Sequence, residues 1–122
     1  MDKLMNSNRY VSNLELNEGN VPSPDADLTV IGRFADMFDP STHPRGPEFT
    51  GKAGQELLGR CIKDYQDYQI LPDSLAELRA CLALEWAILP YIAPEGPSPG
   101  QERFLRDMVK KIRELVLAEK ID

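Results

Sequence analysis

The chain has 122 residues, 42% of them hydrophobic, and a formal net charge of −6. That length supports one domain with one core. Its acidity argues against nucleic acid, because an acidic protein gains nothing from counterion release on a phosphate backbone. Residues 1–50 hold four basic and eight acidic residues, and residues 51–122 hold ten and twelve. The acid excess therefore lies mostly in the first half, where it suits solubility or a basic protein partner.

Residues 1–22 read as an extended N-terminal arm, separate from a helical domain over residues 23–122. Asn6, Asn8, Asn13, Asn17 and Asn20 favour turns over regular structure. Tyr10, Val11, Leu14 and Leu16 are its main apolar group. A terminus of this kind is flexible unless a partner or a second copy of the chain orders it. The first ten residues hold no apolar core of signal-peptide length, so the cytoplasm is the expected compartment.

A first helix is expected from Ser23-Pro24-Asp25 to Asp39-Pro40. Serine caps, proline takes the first helical position, and Asp25 and Asp27 complement the positive helix end. Leu28, Ile31, Phe34, Ala35 and Phe38 recur at helical spacing. Gly32 is either a weak point, about 1 kcal/mol worse than alanine, or a place of close helix approach. Residues 39–51 then form a loop rich in proline and glycine, and an ordered loop of that length is a candidate contact surface.

A second helix is expected from Gly51 to Tyr68, with Leu57, Leu58, Cys61, Ile62 and Tyr65 as its apolar stripe and Tyr68 extending it. The most apolar stretch follows at residues 71–92. Ser74 and Glu77 fit a capping box, and Pro90 is expected to stop the helix. Leu75, Leu78, Leu82, Trp86 and Leu89 share one face, Cys81, Leu84 and Ile88 flank it, and Ala80, Ala83 and Ala87 line the back. A helix apolar all round is a buried one. A membrane span needs ~20 apolar residues with few charges; Arg79 and Glu85 interrupt the run and Pro90 shortens it, so no membrane is expected.

Residues 93–100 break the chain with proline and glycine. Ser98, Pro99 and Gln101 then form the clearest helix start in the sequence. Phe104, Leu105, Met108, Val109, Ile112, Leu115 and Val116 make a clean stripe. Glu102 with Arg106, and Asp107 with Lys111, are spaced as supporting ion pairs worth about 0.3 kcal/mol each. The basic residues of the opposite face are interleaved with acids, which fits a solvated surface better than a nucleic-acid site.

Several candidate chemistries fail on their own terms. The run from Gly46 to Ala53 imitates a phosphate-binding loop, but Ala53 replaces the metal-holding hydroxyl and no apolar strand precedes it. A residual anion site at Lys52 and the second helix's first amides is the weaker version. His43 stands alone, and no Cys or His spacing fits a metal, so no metal and no cofactor are expected. Cys61 and Cys81 lie on apolar faces and are expected as buried free thiols, with a disulfide between neighbouring helices as the alternative. Glu85 sits within an apolar face and is expected at the bundle edge or paired with Arg60, Arg79 or an arginine of the last helix.

The expected fold is all-α, a small irregular four-helix bundle with an N-terminal arm and the 71–92 helix inside. The expected function is a non-enzymatic protein-interaction module: an adaptor, inhibitor, immunity-type or regulatory factor. A subunit of a homodimer or larger assembly is the alternative. The candidate partner-facing residues are Glu85, Trp86, Leu89, Tyr91, Phe49 and Arg45.

Overall fold

The most apolar stretch forms the helix on which the others assemble. The computed structural model describes residues 20–38 and 51–121. Among them are four helices and no strand: α1 (Leu28–Asp36), α2 (Gly51–Tyr68), α3 (Leu75–Ile92) and α4 (Pro99–Ile121). Each of α1, α2 and α4 packs on α3, so the fold is an all-α bundle organised around that helix. Residues 1–19 of the arm, and Asp39-Pro40, His43, Arg45 and Phe49 of the proline-rich loop, lie outside the described residues.

The arrangement follows from the pattern on α3. Leu78, Cys81 and Leu82 are fully buried, and Ala80, Ala83 and Leu89 nearly so. Small alanines let neighbouring backbones approach, and each fully buried leucine contributes roughly 1.5–3 kcal/mol. The other helices supply one stripe each. Ile31, Phe34 and Ala35 come from α1, Leu57, Leu58, Cys61 and Tyr65 from α2, and Leu105, Met108, Val109 and Ile112 from α4.

Local chemistry sets the helix ends, and in two places it departs from expectation. Ser23-Pro24 makes a turn instead of starting α1, with the Ala26 N–H donating to the Ser23 carbonyl at 3.0 Å. Asp27 is the cap. Its Oδ1 accepts from the Thr29 N–H at 2.9 Å and the Thr29 hydroxyl at 2.7 Å, which holds its carboxyl below the usual range. An ionised acceptor with two donors outcompetes the single serine hydroxyl upstream. Pro90 does not stop α3 either: the helix runs through it to Ile92 and closes with the Ala93 N–H on the Leu89 carbonyl at 2.8 Å. Pro90 forfeits one backbone bond, to the Trp86 carbonyl, and being exposed it leaves the remaining turn intact.

The expected start of α4 is formed. The Ser98 N–H donates to Gln101 Oε1 at 2.8 Å while Ser98 Oγ accepts from the Gln101 N–H at 3.2 Å. Such a cap is worth about 1 kcal/mol. The pair of Glu102 and Arg106 forms at 2.9 Å. Asp107 and Lys111 do not pair with each other, because each finds a partner off its own helix. Asp107 accepts from the Tyr65 hydroxyl at 2.6 Å, and Lys111 donates to Asp73 at 2.8 Å and to the Leu71 carbonyl at 2.9 Å.

The segment ahead of α1 is tied to α4 by two arginines. Arg106 donates to the carbonyls of Pro24 and Ala26, at 2.6 and 2.8 Å, and Arg113 to that of Val21 at 2.7 Å. Val21 itself is buried in the core, so residues 20–22 pack with the bundle and not with a separate arm.

The cysteines also depart from the free-thiol expectation. Cys61 of α2 and Cys81 of α3 are joined in a disulfide, and neither is free. Each was expected on an inward face, and the packing of α2 on α3 makes the two faces meet.

Candidate functional site

Among the described residues Glu85 is the one charged residue of the buried core, 2% exposed. It is neither at an exposed edge nor paired. Its Oε1 is buried with no hydrogen-bond partner. Burial raises its pKa above the ordinary carboxylate value, with no neighbouring charge contributing. None of the arginines expected to pair with it does so: Arg103 of α4 shares its cleft but is exposed and contributes nothing to its shift, and the others are engaged or placed elsewhere. Arg106 holds Glu102, the Arg79 guanidinium lies 5.1 Å from the centre of the Phe38 ring, and Arg60 is exposed.

The acid lines a cleft of about 510 Å³ between α2, α3 and the start of α4. Ile62, Ile92 and Phe104 give it apolar walls, and Gln66, Gln69 and Gln101 give it amides. Arg103 is a charged group of the same cleft and is exposed. Tyr65 forms part of one wall, its ring 4.9 Å from that of Phe104 and tilted 39° to it. Burial first, and then the hydrogen bond to Asp107, push the Tyr65 phenol up to about 12, so it stays a donor. Gln69 sits just past the end of α2 with φ 54°, in the left-handed region. Glycine or asparagine takes that position at lower cost. A glutamine there keeps an amide at the cleft.

Other expected site residues are distributed differently. Leu89 is buried at 5% exposure and faces the core. Trp86 is half-buried and lies against Gly32 of α1, where an added Cβ would overlap Cζ2, Cε2 and Cη2 of the indole. Gly32 is thus the close approach that the sequence offered as one of two readings. Tyr91 is 84% exposed, next to Ile92 of the cleft. At the other side, Tyr68 and Ile70 flank Gln69 and are also more than half exposed. Tyr68 therefore leaves the α2 stripe for solvent. The amides and the exposed isoleucines carry no sequence signal as site residues. They become one only when the helix ends converge on Glu85.

A second opening, of about 630 Å³, lies between the 24–25 turn and α4. Its charges are mixed, and Arg106 there already serves Glu102 and two carbonyls. Among the described residues no cluster of three metal-ligating side chains forms, and no helix is long and apolar enough to cross a membrane.

The unpaired acid fixes a testable sign. The folded-state pKa of Glu85 lies above its unfolded value, so the folded protein binds more protons than the unfolded one between the two. The Glu85 contribution is most favourable below the unfolded pKa and is lost as pH rises through the folded pKa. Replacing the acid with an apolar side chain removes that loss. Glu85→Leu is expected to be about 1–3 kcal/mol more stable than the parent at neutral pH. Glu85→Gln should shift the same way by less, and both differences should shrink towards pH 4. Urea denaturation at several pH values measures this, and strong destabilisation by Gln at neutral pH would reveal a paired carboxylate.

The geometry defines an all-α bundle with a cleft lined by a buried carboxyl, amides and apolar side chains. Comparison with protein families, with curated proteins and with solved structures finds no match to this chain.

Proposed function

We propose that this chain is a protein-interaction module, an adaptor, inhibitor, immunity-type or regulatory factor that binds a basic protein and catalyses no reaction. The observation that carries this reading is the exposed rim of the Glu85 cleft. Tyr68 and Ile70, which adjoin the cleft residue Gln69 in sequence, and Tyr91, which adjoins Ile92 of the cleft wall, are large apolar residues left in water, as is Ile92 itself. Such a grouping beside a preformed cleft marks a contact surface, and tyrosine is enriched where proteins meet. The net charge of −6 favours a basic partner and disfavours nucleic acid. The groups around Glu85 support binding over catalysis: besides amides, apolar side chains and Arg103 they are the Tyr65 and Ser98 hydroxyls, which are engaged by Asp107 and the α4 cap. The disulfide counts against the cytoplasmic expectation, since such bonds persist in oxidising surroundings and are rare in the cytosol.

A photo-crosslinking amino acid in place of Tyr91 identifies the partner in native extract. Titration of that purified partner with the parent and with Tyr91→Asp then tests the surface. At least a tenfold loss of affinity, about 1.4 kcal/mol, is expected. Equal affinity sinks the reading. The rival reading buries the same rim against a second copy of the chain. Light scattering over a concentration series separates the two, because a monomer at micromolar concentration rules out an obligate dimer.

A further inference from the structure

We propose that the cleft receives the side chain of a lysine from the protein partner, with its methylene stem against Ile62, Ile92 and Phe104 and its ammonium on the Glu85 carboxylate. This deepens the interaction reading and rests on it. The buried Oε1 of Glu85 lacks a hydrogen-bond donor. A buried acceptor in that state costs free energy until a donor arrives, and an ammonium supplies one that is charge-assisted. Lysine has three such donors. Glu85 takes one, and the amide oxygens of Gln66 and Gln69 on the walls are acceptors for the others, while that of Gln101 already serves the α4 cap.

The shape agrees with the chemistry. A long apolar stem ending in a compact charge matches apolar walls above a polar floor. The cleft, at about 510 Å³, has ample room for a lysine side chain. A free amine would use the floor alone. The exposed Tyr68, Ile70 and Tyr91 lie outside the cleft lining, next in sequence to Gln69 and Ile92, and only a macromolecular ligand covers them and the cleft together. Charge agrees as well, since the chain as a whole is acidic. Arg103 is the cationic group in the cleft, and its exposure sets a second requirement. The partner should carry a carboxylate or an exposed carbonyl close to the lysine, to meet the guanidinium.

An array of random short peptides, probed with the full-length protein, tests this. Retained peptides are expected to centre on a lysine with an acidic neighbour. Acetylating the lysine Nζ should weaken binding about tenfold, the loss of one charge-assisted contact. Glu85→Gln, shown to be folded by circular dichroism, should weaken the same peptides equally and leave the acetylated ones unchanged. In parallel, the Glu85 carboxyl carbon resonance should move on addition of Nα-acetyl-lysine methylamide. Retained peptides that tolerate acetylation but are lost in Tyr91→Asp overturn the lysine site and leave the interaction surface standing. Selection of arginine peptides over lysine peptides also overturns the lysine assignment. A Glu85 resonance indifferent to the lysine amide, with no peptide retained, overturns the lysine site; the Tyr91 titration then decides the interaction reading separately.

Discussion

Reducing the Cys61–Cys81 bond is expected to cost the protein about 3 kcal/mol of stability. The two cysteines are 20 residues apart in sequence. Cross-linking a chain over a loop of that length removes unfolded-state entropy worth about 3 kcal/mol. That is a large share of a small domain's total of about 5–15 kcal/mol. Denaturant titration with and without a phosphine reductant measures the difference. The bond itself is checked first: alkylation of the denatured, unreduced protein should leave both cysteines unlabelled. Two labelled thiols would return the pair to the buried free cysteines that their apolar faces alone imply.

Gly32→Ala is expected to destabilise the protein by about 2–3 kcal/mol, at the upper end of what overpacking costs. Helix propensity alone gives the opposite sign, since alanine is better than glycine in a helix interior by about 1 kcal/mol. Packing decides, because the new methyl would fall inside the Trp86 indole. An aromatic ring has no flexible end to fold away, so the whole side chain or α1 must move. The companion variant Trp86→Leu separates the causes. Within a double-mutant cycle Gly32→Ala should be far less harmful, or even stabilising, on the leucine background. A destabilisation of the same size on both backgrounds would mean that the indole is not the obstacle.

Much of the fold was legible because it depended on local chemistry. The bounds of α2 match the expected Gly51–Tyr68, and the reciprocal cap of Ser98 and Gln101 is formed. The buried role of α3 followed from its lack of a polar face. The errors arose where one signal had two outcomes or where a partner came from elsewhere. Ser23-Pro24 opens turns as well as helices, and only the competing acceptor at Asp27 decided the matter. Asp107 and Lys111 had the right spacing to pair, but Tyr65 and Asp73 were better placed to take them. Glu85 was recognisable as anomalous from its neighbours on the helix. That it would have no partner depended on how α2 and α4 are turned about their axes, which periodicity does not determine. The cleft was illegible for the same reason, since its walls come from the ends of three helices.

Pro90 has a consequence for motion. With no amide at that position, the Trp86 carbonyl lacks its helical donor, so the last turn of α3 is one ladder bond short and ends with the Ala93 N–H on the Leu89 carbonyl. Tyr91 and Ile92 ride on this turn. Their amides should exchange with deuterium well ahead of those of Leu82 and Ala83, opening locally without unfolding the bundle. The cleft thus joins a buried carboxyl at Glu85 to a helix end that is one backbone bond short.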